Sequence, residues 1–143
     1  MSEFGERLGE LLFENNLNEK QFAEKLGICV SSVSVYLQGK SLPTVESLVK
    51  IADYFKCTTD FLLGREEESK VRKFKPCPPF SEQILFLKKH FKCSAYKIYH
   101  NTKIAKTSYY EWVGGERQPK VENVINLADI FECSVDFVLG REV

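Results

Sequence analysis

The stretch LVKIADYFKCTTDFLLGRE, from Leu48 to Glu66, is repeated with ten of its nineteen residues identical as VINLADIFECSVDFVLGRE, from Val124 to Glu142. The two copies are separated by a constant offset of 76 positions. The same offset also pairs the residues Gly39 with Gly115 and Pro43 with Pro119. A chain of 143 residues is long enough for two small domains. The repeat therefore predicts a tandem pair, with domains at residues 1–66 and 80–143 and a linker at residues 67–79.

Apolar residues recur in each copy at intervals of three and four, the period of a helix with one buried face. In the first copy this pattern predicts five short helices, the first with Phe4 and Leu8 on its inner side. Asn18, with Gln21 three positions later, resembles a capping box that begins the second helix. Gly27 is placed to end that helix in a left-handed conformation. No strand-like alternation competes, so the predicted fold class is all-α.

The predicted linker contains charged residues and three prolines, Pro76, Pro78 and Pro79. Such a composition is typical of a partly extended connection. Its basic side chains are Lys70, Arg72, Lys73 and Lys75. Two interpretations remain open for this cluster, a solvated tether and an arm that contacts phosphates.

The bulk composition excludes several classes of protein. Net charge is zero, divided as −3 over residues 1–66, +2 over 67–77 and +1 over 78–143, so a nucleic-acid role needs locally arranged positive charge. Five cysteines without a CxxC pair argue against zinc, and we expect buried, reduced thiols at Cys57 and Cys133. No apolar run of about 18 residues is present, and no nucleophile or phosphate loop indicates an enzyme. We expect a cytoplasmic protein with no cofactor, no metal, no small-molecule substrate and no membrane contact.

The second and third predicted helices of the first copy meet the physical demands of a helix-turn-helix. Ala23 is small enough for the two helices to approach closely, and Gly27 allows the turn between them. Ile28 and Val33 are placed to fill the space beneath. The third helix, predicted at residues 30–38, then presents the remaining side chains outward, as a helix that enters the major groove must do.

These segments together resemble a known family. The matching stretches are QFAEKLGI, SSVSVYLQGKSLPTVESLVKIADYF and TTDFLLGRE. They are similar to the Cro and phage-repressor type of helix-turn-helix domain, the XRE family of transcriptional regulators, over nearly all of residues 7–66 and 83–142. The resemblance implies two tandem, five-helix, lambda-repressor-like domains that bind double-stranded DNA with the third helix. It also implies a bacterial or phage repressor.

The resemblance assigns DNA-contacting positions residue by residue. In the first copy Val30, Ser31 and Val35 match base-facing positions, with Ser34 also outward, and the positions near phosphate are Asn18, Glu19, Gln38 and Lys40. In the second copy the base-facing matches are Lys106, Thr107 and Glu111, with Tyr110 also outward. Phosphate-side positions there are Ser94, Ala95, Gly114 and Glu116, with Arg117 and Lys120 close by.

Each copy departs from the family pattern in its own way. The first has a poor set of base-reading side chains, because serine bonds to several bases and valine contacts only a thymine methyl group. In the second, Tyr99 replaces Ala23 and Lys103 replaces Gly27. A tyrosine there forces the third helix outward or turns its own ring into solvent. Asn101 is the alternative left-handed residue in a longer turn.

Two functional hypotheses follow from these sequence features. In the first, the chain is a sequence-specific regulator, either with both copies on half-sites about 34–36 Å apart or as a homodimer that uses one copy. In the second, the divergent copy binds a protein partner, such as a toxin or a polymerase subunit, in which case Tyr109, Tyr110 and Trp112 are the relevant side chains. Core packing is the simpler interpretation of Trp112, which aligns with Tyr36.

Overall fold

In the computed structural model, residues 3–69 and 73–143 are described, and they contain ten α-helices. The chain divides into two compact units, Met1–Val71 and Arg72–Val143. Strand pairing within the described residues amounts to one isolated bridge between Phe74 and Glu142. The all-α prediction is therefore confirmed. Lys70 and Arg72 of the predicted basic cluster lie outside the described residues.

Each unit contains five helices. In unit 1 they are α1 (Glu3–Glu14), α2 (Glu19–Leu26), α3 (Val30–Leu37), α4 (Val45–Phe55) and α5 (Thr59–Leu62). In unit 2 they are α6 (Phe80–His90), α7 (Ala95–Tyr99), α8 (Lys106–Val113), α9 (Val121–Phe131) and α10 (Val135–Leu139). The offset of 76 holds for both ends of α3 and α8 and for both ends of α4 and α9. The largest departure is α7, which begins at the offset of α2 but ends three residues earlier, whereas α6 and α10 each differ from the offset by one residue at one end.

Left-handed backbone positions repeat in the same way. Asn16, Gly39, Lys56 and Gly64 have positive φ, and so do the residues 76 positions later, which are Lys92, Gly115, Glu132 and Gly140. All four pairs directly follow a helix or its cap, where an αL residue reverses the chain. The fifth position differs, because Gly27 (φ +70°) is matched by Asn101 (φ +56°). The second turn therefore uses asparagine, as predicted, and asparagine tolerates αL better than other non-glycine residues.

Apolar faces of the helices form one core in each unit. In unit 1 the fully buried side chains include Phe4, Leu8, Phe22, Val33, Leu48, Ile51 and Leu62. In unit 2 they include Ile84, Leu87, Ile98, Ile104, Tyr109, Val124 and Leu127. Trp112 is buried and meets the Phe80 ring edge-on at 5.8 Å, which confirms core packing.

The aromatic side chains at the ends of α4 and α9 differ in burial. Phe131 is buried and stacks on Phe91 with ring centroids 4.8 Å apart. Phe55, which we expected on the buried face of its helix, is only half-buried and stacks on Phe22 at 5.6 Å. The helix period gives the direction of a side chain but not how completely its neighbours cover it. Cys57 is buried as expected, whereas Cys133 is only partly so.

An ion pair follows the last helix of each unit. Arg65 Nε lies 3.1 Å from Asp60 Oδ1, and Arg141 Nη1 lies 2.8 Å from Asp136 Oδ1. Both side chains of the second pair are fully buried, and the Arg141 guanidinium lies 3.8 Å from the centre of the Phe74 ring. Phe74 and the neighbouring Lys75, whose N–H donates to the Arg141 carbonyl, fall in the predicted linker but pack within unit 2.

Within the described ranges 3–69 and 73–143, no helix has the length and apolar character needed to cross a bilayer.

Candidate nucleic-acid interface

The helix-turn-helix of unit 1 begins with a complete capping box. Asn18 Oδ1 accepts a hydrogen bond from the Gln21 N–H at 2.7 Å, and the Asn18 N–H donates to Gln21 Oε1 at 3.0 Å. These two bonds satisfy amide groups that the first turn of α2 leaves without helical partners. Gly27 ends α2 in the αL conformation, and the Ile28 N–H donates to the Ala23 carbonyl at 3.0 Å. The beginning of α3 is therefore fixed relative to α2.

The inner side of α3 is held by close packing. Ala23 and Val33 are buried between the helices, as the sequence predicted. Gly5 lies on α1 against the C-terminal end of α3, where an added Cβ atom would come within 2.6 Å of the Tyr36 carbonyl oxygen. Because backbone meets backbone there, a side chain has no room. The opposite face of α3 is thereby left toward solvent.

The predicted contact residues of unit 1 divide into two groups by exposure. Side chains at the solvent boundary are Asn18, Val30 (46% exposed), Ser31, Gln38 and Lys40. Ser34 and Val35 are half-buried. Gln38 Nε2 lies 3.3 Å from Ser34 Oγ, so these two predicted residues form one hydrogen-bonded pair. Asn18 Oδ1 already accepts the capping hydrogen bond from the Gln21 N–H. The side-chain NH₂ of Asn18 is the group that can donate to a further acceptor.

The turn of unit 2 is rebuilt around a threonine. Thr102 Oγ1 donates to the Ile98 carbonyl at 2.6 Å and accepts from the Ile104 N–H at 3.1 Å. Ile98 and Ile104 are both buried, at the positions of Phe22 and Ile28. These bonds secure a turn that contains three more residues than its counterpart in unit 1 and joins a shorter α7 to α8.

Tyr99 adopts the second of the two predicted arrangements, with its ring toward the surface. The ring is half-buried, and its centroid lies 5.9 Å from that of Tyr109 and 6.1 Å from that of Tyr110. A hydrogen bond with Tyr110 raises the pKa of the Tyr99 phenol above its ordinary value, and desolvation and the phenols of Tyr109 and Tyr96 act in the same direction.

The predicted contact residues of unit 2 are mostly exposed. Lys106, Thr107, Tyr110, Arg117 and Lys120 lie at the surface, and Glu111 is half-buried. Arg117 Nε lies 3.0 Å from Glu111 Oε2, so these two predicted residues form an ion pair. The Lys106 ammonium is 5.8 Å from the centre of the Tyr99 ring.

The net charge of each copy does not show that basic side chains are concentrated in one segment of unit 2. Residues 83–110, which run from the second turn of α6 through α7 to the first half of α8, contain six lysines, two histidines and no Asp or Glu. The corresponding residues 7–34 of unit 1 contain three basic and four acidic side chains. The averages over residues 1–66 and 78–143 concealed this contrast, because acidic residues after position 110 offset the lysines before it.

A family model described as helix-turn-helix matches residues 10–62, which lie within unit 1 and include the capped α2, the Gly27 turn and α3. This segment is therefore a helix-turn-helix domain, as its sequence resemblance to the XRE type implied.

Several curated relatives are transcription regulators by name. The HTH-type transcriptional activator BcrR of Enterococcus faecalis is 40% identical over 65 residues, which make up 46% of this chain and 32% of the relative. The cryptic phage CTXphi transcriptional repressor RstR of Vibrio cholerae is 42% identical over 60 residues, 42% of this chain and 54% of the relative. The HTH-type transcriptional regulator AnsR of Bacillus subtilis is 40% identical over 63 residues, 44% of this chain and 54% of the relative.

The chain spans about half or less of the length of these relatives. No solved structure matches it at a significant level.

Proposed function

We propose that this protein is a sequence-specific DNA-binding transcriptional regulator. The observation that carries the proposal is the exposed face of α3 in a segment that matches the helix-turn-helix family. Such a helix can enter the major groove with its N-terminal side chains against base edges. One relative is named as an activator, one as a repressor and one as a regulator. These names support a role in transcription regulation and do not decide between activation and repression.

We further propose that the chain carries two tandem lambda-repressor-like domains, residues 1–66 and 80–143, joined by residues 67–79. The support is the offset of 76, which runs through the bounds of α3, α4, α8 and α9 and through four of the five left-handed positions. Independent folds would not share such a register. In this arrangement the family match to residues 10–62 covers the less divergent domain.

In the proposed complex, residues of α3 read bases and flanking residues hold phosphates. Val30 and Ser31 stand at the exposed beginning of α3, where base contacts are made. Lys40 and the Asn18 amide are placed to donate to phosphate oxygens. Lys40 is one of few basic groups near α3 in unit 1. We therefore expect the affinity of unit 1 for DNA to depend on the fit of α3 in the groove and on few ionic contacts with phosphates. Binding of this kind involves no catalytic step, and its target places the protein in the cytoplasm.

The test is retention of random-sequence duplex DNA by the purified chain, followed by sequencing of the retained fraction. At about 50 and 200 mM salt, a true DNA-binding protein loses affinity in proportion to its phosphate contacts. We expect one enriched sequence motif and a measurable salt dependence. Two half-sites in that motif would indicate that two reading helices, from one chain or from a homodimer, bind together. Absence of any enriched motif would contradict the proposal.

A further inference from the structure

Unit 2 exposes a set of rings and lysines of which only Lys106 and Tyr110 belong to the predicted duplex-contact residues. We call this set the tyrosine–lysine surface, and its members are Tyr96, Lys97, Tyr99, His100, Lys106 and Tyr110. Tyr96 is 56% exposed and Tyr110 is 50% exposed, although large aromatic rings normally bury most of their area.

The rings of this surface form a continuous series. Tyr96 stacks on His100 with ring centroids 4.3 Å apart and planes 17° apart. Tyr99 follows at 6.0 Å from Tyr96 and 6.1 Å from Tyr110. The planes of Tyr96 and Tyr99 are 77° apart and those of Tyr99 and Tyr110 are 50° apart, so the four rings form a cluster of differently tilted rings. The exposed fraction of Tyr96 leaves part of its ring open to a ligand.

Lysines accompany these rings on α7, in the turn that follows and on α8. Lys106 lies 5.8 Å from the centre of the Tyr99 ring. Lys97 lines a shallow depression together with Lys92, beside Phe91 and Phe131. Lys103 is exposed in the turn between α7 and α8. Because residues 83–110 contain no Asp or Glu, no carboxylate of this segment neutralises these lysines.

The corresponding positions of unit 1 carry none of this chemistry. Tyr96, Tyr99, His100 and Tyr110 are matched there by residues without a ring, in order Lys20, Ala23, Glu24 and Ser34. Aromatic side chains at these four positions are therefore particular to unit 2. A requirement of the shared fold would place rings in both units, so the fold alone does not account for them.

Exposed rings combined with lysines suit one class of ligand. In a duplex the faces of the bases are covered by their neighbours in the stack, so a protein ring has nothing to stack on. In a single strand the base faces are open, and proteins bind them with aromatic platforms in a positively charged setting. We propose that the tyrosine–lysine surface binds single-stranded nucleic acid, which goes beyond the proposed reading of duplex DNA.

Stacking and phosphate contacts are common to single-stranded DNA and single-stranded RNA. The surface offers rings for any base, and its lysines contact phosphates of either strand. The ion pair of Glu111 with Arg117 occupies the one carboxylate among the predicted base-facing residues of unit 2. The predicted binding therefore has little sequence preference.

The experiment measures fluorescence anisotropy of the full chain with a labelled strand of about 12 nucleotides. The strand is supplied as DNA, as RNA and as the duplex of the same sequence. We expect tighter binding of a single strand than of the duplex, and the DNA and RNA arms identify which strand is preferred. Tyr96→Ala is expected to weaken single-strand binding roughly 5- to 100-fold, because the loss of one aromatic ring on which a base stacks lowers affinity by about that factor.

Matched variants separate stacking from loss of fold. Tyr96→Phe keeps the ring and is expected to bind as the wild type does. Phe13→Ala removes a ring that is 84% exposed on α1 of unit 1, and it is expected to have no effect. Lys97→Ala is expected to lower the salt slope by about 0.7, whereas Lys25→Ala in unit 1 leaves the slope unchanged. Thermal melts of all variants verify that they are folded.

Equal affinity for duplex and single strand, combined with an unchanged affinity in Tyr96→Ala, would overturn this inference. Failure to bind either single strand at about 50 mM salt would also overturn it. Neither result affects the proposed regulator, because that proposal is tested on duplex DNA with variants of α3 in unit 1. The two proposals can therefore fail separately.

Discussion

Arg141 is the largest fully buried side chain of the described residues. It forms an ion pair with Asp136, and the same Asp–Arg spacing of five positions recurs in unit 1. A buried guanidinium needs a nearby anion, because desolvating an uncompensated charge is costly. Asp136 supplies that anion, and the Phe74 ring covers the guanidinium from one side. In unit 1 the Arg65 side chain remains partly exposed beside Asp60. The same sequence motif thus has two different degrees of burial.

Arg141→Ala is expected to destabilise the chain by about 3–5 kcal/mol, because it leaves the buried Asp136 carboxylate without its cation. Arg65→Ala is the matched variant in unit 1, and its smaller expected loss reflects solvent access to that pair. Urea unfolding of the two variants measures both losses. Equal losses would contradict the difference in burial.

The sequence predicted the limits of α2 and the inner face of α3 well because these features depend on local signals. Asn18 caps one helix, Gly27 ends it, and the apolar period places Val33 inward, all of which can be read from neighbouring residues. The direction of the Tyr99 ring was not predictable in this way, since it depends on Tyr109 and Tyr110 of another helix. The Glu111–Arg117 ion pair was missed for a similar reason, because the chain turns between the two residues.

The contact of α1 with α3 gives a test at the level of helices. Gly5→Ala is expected to destabilise the chain by about 1–3 kcal/mol, because its Cβ would meet the Tyr36 carbonyl at 2.6 Å. Gly9→Ala is the control on the same helix, since its Cβ would make an ordinary contact of 3.7 Å with Leu37. Gly9→Ala is expected to be neutral or slightly stabilising. Thermal melts compare the two, and equal melting temperatures would contradict the packing described for α1.

The two units of the molecule differ in the charge of corresponding segments. The segment of unit 1 that includes α2 has more acidic than basic groups, whereas the segment of unit 2 that includes α7 has lysines and no carboxylates. The repeat in the sequence predicted most helix limits, because these limits depend on residues that both copies share. It did not predict the surfaces, which depend on residues that differ. Function is therefore expected to differ between the units even where the backbone repeats.

We propose that the exposed face of α3 reads duplex DNA. The variant Ser31→Glu is the direct test of this proposal. The measurement is affinity for the duplex motif selected by the wild-type chain. A carboxylate at the beginning of α3 faces the DNA and repels it, so we predict binding roughly 5- to 100-fold weaker. Ser41→Glu adds the same charge at an exposed position beyond α3 and is expected to bind nearly as the wild type does. Equal affinities of Ser31→Glu and Ser41→Glu, with both variants folded, would contradict the claim.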